Sequence, residues 1–182
     1  MELKSLLIFN KDSYFFFERF TGSLLVKNGH IQSIHKPQTP KLAHAITLCN
    51  QPYLLKAQRG SHTSIPNSKL VQLYAKTLVW LCNLSFFLGR CFSLLGIPCF
   101  DTTNNAILAF RQCFPSAKQN DLCYSRSLFA ASLSKSFKKN GVIFIGVFLP
   151  STSMHAWIIE DGTQPDPYDN MWINFQPVAA IY

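Results

Sequence analysis

Residues 121–150 read DLCYSRSLFAASLSKSFKKNGVIFIGVFLP and contain the two strongest structural signals of the chain. The first is a helix, which Asn120 or Asp121 can cap and which Asn140-Gly141 would end. Its lysines lie toward the C-terminal end, where positive charge interacts favourably with the helix dipole. Its predicted core-facing residues are Leu122, Leu128, Phe129, Leu133 and Phe137.

The second signal is an apolar run from Val142 to Leu149, rich in β-branched and aromatic residues and bounded by glycine and proline. This composition predicts a buried strand. Residues Ser153 to Glu160 alternate in polarity and end at the turn signal Asp161-Gly162, which predicts an adjacent antiparallel strand. Weaker strand patterns follow at 172–175 and 178–182. The predicted fold class is therefore α+β, with a helix packed on an antiparallel sheet.

Upstream of this region, residues from Lys69 to about Leu88 are predicted to form an amphipathic helix. Its predicted core face comprises Leu70, Leu73, Tyr74, Thr77, Trp80, Leu81, Leu84 and Leu88. The longest uncharged piece, 77–89, is shorter than the roughly 20 residues that a membrane-spanning helix needs. We therefore expect no transmembrane span, with peripheral membrane association as an open alternative. A further helix is predicted for 104–110.

The first 68 residues are predicted to form a small β-rich module followed by a connector. Strands are predicted at 6–9, 13–20, 24–26 and 31–34. The last two flank Asn28-Gly29, a strong signal for a tight hairpin turn. Residues 36–68 are rich in Pro, Gly, Ser and Gln, which favours turns and loops. The chain is accordingly divided into 1–68 and a second domain, 69–182.

The formal net charge of +8 is concentrated in the first half, because no Asp or Glu occurs between Glu18 and Asp101. A basic field of this kind suits nucleic acid, an anionic membrane or an acidic peptide. Nucleic acid is not expected as a partner, because the chain has no aromatic-basic motif and no recognisable helix-turn-helix. The 6 cysteines form no CxxC pair or zinc-finger spacing, so no metal site is expected. No export signal is apparent, which favours reduced thiols in a cytoplasmic protein.

Cys123 lies in the first turn of the predicted helix, where unpaired N–H groups and the helix dipole lower a thiol pKa. His155 lies on the strand that follows the buried one, a rigid support for a catalytic base. A third group must orient the imidazole; Asp166 is the preferred candidate, with Asp169 and Asp161 as alternatives. Arg126 is interpreted as either a partner of a carboxylate, a substrate contact or a solvated helix residue.

Three motifs follow one another in the second domain: Cys123-Tyr-Ser-Arg-Ser-Leu, Ile145-Gly-Val147, and His155-Ala-Trp157 with Glu160 and Gly162 beyond it. This ordered set resembles the lasso-peptide B proteins, the transglutaminase-like leader peptidases that mature microcin-type lasso peptides. The resemblance covers about residues 70–182 and implies Cys123 as nucleophile, His155 as base and Asp166 as third member. The family strand usually reads His-Ala-Trp-Val-Glu, whereas two isoleucines separate Trp157 from Glu160 here.

The resemblance implies a cytoplasmic cysteine protease that cleaves the leader from a ribosomally synthesised lasso-peptide precursor, a step in bacteriocin-type antibiotic biosynthesis. A partner cyclase, asparagine-synthetase-like and using ATP, would then form the macrolactam; no cofactor is expected in this chain. The implied architecture is a winged-helix-like leader-recognition module, binding by strand addition, before a papain- or transglutaminase-like domain. Two alternatives stay open: a transglutaminase-like acyltransferase, and a non-catalytic peptide-binding chaperone of a biosynthetic complex.

Overall fold

A computed structural model describes the backbone of four short N-terminal strands and, with side chains, residues 68–115, 121–148, 151 and 153–181. These parts contain both helices and antiparallel sheets, which confirms the α+β class. The predicted strand at 31–34 and the connector lie outside the described residues.

A short 3-10 helix, Trp172–Asn174, takes the place of the strand predicted at 172–175. Five α-helices occur in the described part of the chain: α1 Lys69–Leu84, α2 Phe86–Ser93, α3 Thr103–Cys113, α4 Cys123–Leu133 and α5 Lys135–Asn140. Two predicted helices are thus each broken by a serine. Ser85 has an extended backbone (φ −163°, ψ 135°), and its hydroxyl accepts a hydrogen bond from the N–H of Phe87. Ser134 likewise accepts from the N–H of Phe137 at the start of α5. Serine favours such breaks because its hydroxyl competes with helical hydrogen bonding.

The described residues contain seven strands, which are all paired antiparallel and form two sheets. They are β1 Leu3–Ser5, β2 Ile8–Asn10, β3 Ser13–Phe17, β4 Leu24–Asn28, β5 Gly141–Phe148, β6 Ser153–Glu160 and β7 Gln176–Ile181. The larger sheet has the order β1-β7-β5-β6, and the smaller one has the order β2-β3-β4. Leu3 pairs with Ile181, so a segment of the predicted N-terminal module completes the larger sheet.

Helix α4 lies at the centre of the molecule, in contact with α1, α2, α3, β5 and β6. Every residue from Ser125 to Leu133 is buried, as are residues 141–147 of the central strand β5. A helix that is buried on all sides is typical of a core position. The start of α4 is consequently held against the sheet by packing along its whole length.

The predicted core face of α1 was largely wrong. Val71, Ala75 and Leu78 are the buried residues of α1, whereas the predicted Leu70, Leu73, Trp80 and Leu84 are exposed. Of the predicted face, Tyr74 does reach the core: its hydroxyl lies 3.1 Å from Ser132 Oγ, and its ring stacks on Phe92. The helix carries apolar residues on two sides, and periodicity alone does not distinguish them. No helix in the described ranges is both long enough and apolar enough to cross a membrane.

Candidate active site

Cys123 is the first residue of α4, and that helix begins differently from the other four described α-helices. Those four start after a serine or threonine whose hydroxyl accepts a backbone hydrogen bond from the first turn, at Ser68, Ser85, Thr102 and Ser134. Leu122 precedes α4 and provides no side-chain cap. The side chain at this N-cap position therefore does not compete with an anion, such as the thiolate of Cys123, for the positive end of the α4 dipole.

The thiol of Cys123 is buried against strand β6. Its Sγ accepts a hydrogen bond from the backbone N–H of Ala156 at 3.4 Å. Among the described strands, β6 is the last one in the larger sheet, and it pairs with β5. This contact joins the start of the helix to the strand that carries the imidazole, so the two predicted residues are brought together.

His155 directly precedes Ala156 and pairs with Gly146 of β5. Its Nε2 lies 2.8 Å from Asp169 Oδ2, and its ring packs against Phe175 with centroids 5.0 Å apart. Because Nε2 faces the carboxylate, Nδ1 is the ring nitrogen left for the thiol of Cys123. The strand and the aromatic neighbour together limit how the imidazole can rotate.

Opposing effects act on the charged forms of Cys123 and His155. Burial raises the pKa of the Cys123 thiol, but hydrogen bonding to His155, its positive charge and the Ala156 N–H outweigh burial and lower that pKa. Burial likewise lowers the pKa of His155, yet the hydrogen bonds to Asp169 and Cys123 raise it to about 9. These shifts favour a thiolate–imidazolium pair, the reactive form of a cysteine nucleophile.

The carboxylate that contacts His155 belongs to Asp169, which corrects the sequence-based preference for Asp166. Asp169 uses Oδ2 for His155 and Oδ1 to accept from the N–H of Met171 at 3.3 Å. Asp166 instead binds two guanidinium groups. Asp161 is exposed in the turn after β6, with a positive φ of 49°.

The reversal of Asp166 and Asp169 arises from a tight turn between them. The N–H of Asp169 donates to the carbonyl of Asp166 at 3.2 Å, and the N–H of Tyr168 donates to Asp166 Oδ1 at 3.1 Å. The turn directs the two carboxylates to different partners although they are close in sequence. Aspartate is common in such turns because its side chain bonds to the backbone two residues on.

The sequence left three interpretations of Arg126 open, and its contacts in the structure distinguish them. The side chain is buried, with Nε 3.0 Å from Asp166 Oδ2 and Nη2 3.6 Å from Asp169 Oδ2. It follows Cys123 by three residues on α4, a spacing that places both residues on the same side of the helix. Arg126 is therefore a carboxylate partner within the site.

Gly146 allows an aromatic side chain to lie beside His155. A Cβ atom at this position would be 2.5 Å from the indole of Trp157 and 2.8 Å from the carbonyl oxygen of Gln176. The pairing of β5 with β7 also shifts register between Ile145 and Gly146. Glycine is typical of a strand position where neighbouring groups approach so closely.

Among the residues that the structure describes, no group of three or more His, Cys, Asp or Glu side chains is arranged to hold a metal ion. Comparisons with protein-family models, curated proteins and solved structures found no match to this chain.

Proposed function

We propose that this chain is a cysteine peptidase in which Cys123, His155 and Asp169 form the catalytic triad. The observation that carries the proposal is the buried His155–Asp169 hydrogen bond, next to a thiol in the first turn of a helix. A nucleophile, a base and a group that orients the base are the three parts that covalent hydrolysis of an amide requires.

In the proposed reaction, the thiolate of Cys123 attacks the scissile carbonyl carbon and forms a tetrahedral oxyanion. Backbone N–H groups at the start of α4 supply donors for that negative charge. The imidazolium of His155 gives its proton to the leaving amine as the C–N bond breaks, which produces a thioester and the first product. Neutral His155 then takes a proton from water, which attacks the thioester and releases the acid and the thiol group. Asp169 keeps the imidazole oriented in both halves of the cycle.

The order of elements supports a papain- or transglutaminase-like domain. A nucleophile at the start of a buried helix, followed by a central strand and an edge strand with the base, is the arrangement that the sequence resemblance implies. The domain would consist of residues 69–182 together with β1, which pairs with β7.

The proposed substrate is the precursor of a lasso peptide, and the proposed cleavage separates its leader from its core in the cytoplasm. The ordered motifs around Cys123, Gly146 and His155 support this choice. An asparagine-synthetase-like cyclase would use ATP to close the macrolactam on the freed amine. Residues 1–68 are proposed to recognise the leader, with an edge of the sheet β2-β3-β4 pairing with it as an added strand.

Mass spectrometry of a candidate precursor incubated with the full chain, the cyclase and ATP tests the proposal. We expect the wild-type protein to release leader and core, and Cys123→Ala to leave the precursor intact. Cys91→Ala is the matched control because that thiol is exposed, and its activity should equal that of the wild type.

Each alternative function predicts a different result. Equal processing of the precursor in the presence of wild type and of Cys123→Ala would show that processing does not depend on Cys123. That result would refute the peptidase and favour the non-catalytic peptide-binding chaperone. A product heavier by an added amine would identify an acyltransferase, because amine rather than water would then resolve the thioester.

A further inference from the structure

A continuous series of opposite charges runs from the surface to the thiol. Arg111 Nη2 lies 2.9 Å from both carboxylate oxygens of Asp166, and Asp166 Oδ2 lies 3.0 Å from Arg126 Nε. Arg126 Nη2 is in turn 3.6 Å from Asp169 Oδ2, which lies 2.8 Å from His155 Nε2. Beyond His155 is Cys123.

Charge in this series is balanced when the site is in its reactive form. Three groups are then positive and three negative: Arg111, Arg126 and His155 against Asp166, Asp169 and Cys123. All except Arg111 are buried, where an unpaired charge is strongly unfavourable. Removing one member would leave its neighbours uncompensated.

Arg126 occupies the middle of this series and connects two parts of the backbone. It projects from α4, the helix that begins at Cys123, and it binds both carboxylates of the turn 166–169. A guanidinium group can hold two carboxylates at once because its N–H donors form a rigid planar fork. Arg111, from α3, holds the far side of Asp166 and lies over the ring of Tyr168, 5.1 Å from its centroid.

We infer that Arg126 is a positioning residue for the triad: supported by Asp166 and Arg111, it sets the position of Asp169 relative to the helix that carries Cys123. Asp166 then has a defined role as the residue that holds Arg126 in place. The effect on peptide cleavage rests on the proposed function, whereas the effect on the thiol does not.

Electrostatics of the surrounding groups give the direction of the effect. Burial lowers the pKa of Arg126, while the charges of Asp166, Asp169 and Cys123 raise it. In return, the positive charge of Arg126 is among the influences that lower the pKa of Cys123. Loss of the guanidinium charge should therefore make the thiolate less favourable.

The experiment measures the alkylation rate of Cys123 by iodoacetamide against pH, with the modified peptide identified by mass spectrometry. We expect Arg126→Gln to move the midpoint upward by about one pH unit, which lowers the rate roughly tenfold at pH values well below both midpoints. Arg126→Lys should recover part of the loss, since it restores the charge without the planar fork. Lys135→Gln, which removes an exposed partner of Asp101, is the control and should match the wild type.

Arg111→Gln keeps the inference testable where Arg126→Gln does not fold, because Arg111 is at the outer, partly exposed end of the series. This variant should shift the midpoint in the same direction by a smaller amount. A wild-type pH profile for every one of these variants that folds would overturn the inference. A shifted profile without precursor cleavage in the wild type would support the positioning role and refute the proposed peptidase.

Discussion

Nε2 of His155 lies 2.8 Å from Oδ2 of Asp169, and each side chain is only 3% exposed. Water therefore does not compete for this hydrogen bond, and the interaction is stronger than it would be at the surface. The bond determines which nitrogen of the imidazole faces the carboxylate and which one remains for Cys123. Asp169, rather than its neighbour Asp166, is thus the carboxylate that orients the imidazole of His155.

Substitution of the two aspartates should separate catalysis from stability. We expect Asp169→Asn to lower kcat by about 10²- to 10⁴-fold, because the amide favours the wrong imidazole tautomer while leaving the shape of the site intact. Steady-state cleavage of the precursor measures this loss. A near-wild-type kcat would show that Asp169 does not orient the base.

Asp166→Asn is the matched comparison for Asp169→Asn. It weakens the ion pairs to Arg111 and Arg126 and should destabilise the fold by about 3–5 kcal/mol, as expected when one partner of a buried pair is removed. Its kcat should fall less than that of Asp169→Asn. Urea unfolding compares the stability of the two variants, and steady-state kinetics compares their kcat. A larger loss of kcat in Asp166→Asn than in Asp169→Asn would restore Asp166 as the third member of the triad.

The pH dependence of activity should reflect the thiolate–imidazolium pair. The pKa of Cys123 is lowered from its ordinary value and the pKa of His155 is raised to about 9. Activity should therefore be lost as pH rises through about 9, when the imidazolium loses its proton. It should also be lost as pH falls below the lowered pKa of Cys123, when the thiolate is protonated. A profile of kcat/KM against pH measures both limits.

Cys82 provides an internal control for the reactivity of Cys123. Burial raises the pKa of Cys82 to about 12, so its thiol remains protonated through the neutral range. Brief treatment with iodoacetamide at pH 7 should label Cys123 well before Cys82. Equal labelling of the two peptides would contradict the proposed activation of Cys123.

Two leucines on α1 test which side of this helix faces the core. Leu78 is 0% exposed and Leu73 is 63% exposed. We expect Leu78→Ala to lower the free energy of unfolding by about 2–5 kcal/mol, because it leaves a cavity. Leu73→Ala should change it by no more than about 0.5 kcal/mol. Denaturant unfolding compares the two variants directly, and an equal loss for both would show that the exposed side is also packed.

Much of the secondary structure could be predicted from local signals. The strand predicted at 142–149 occurs at 141–148, and the strand predicted at 153–160 has the same bounds in the structure. The predicted α+β class and a helix beginning near Cys123 are also confirmed. These features depend on caps, turn residues and side-chain periodicity, all of which act over a few neighbouring residues.

Other features could not be read from local patterns. The break at Ser134 was missed because serine is acceptable inside a helix, and its role as a cap depends on packing. Two sets of residues on α1 fit a helical period: the exposed leucines, and the buried Val71, Ala75 and Leu78. The prediction of its core side was wrong because the period does not distinguish the two sets. Only contact with α4 and α3 distinguishes the two sides.

By itself, the sequence determined that Cys123 lies at the start of a helix and that His155 lies on a strand further along the chain. The tertiary structure decided that the two meet, through the contact of Ala156 with Cys123, and that Asp169 is the carboxylate beside the imidazole. Asp169 follows His155 by 14 residues, and several carboxylates occur within that span. Which of them reaches the ring depends on how the turn after Asp166 closes and where Arg126 holds it, and these are long-range interactions.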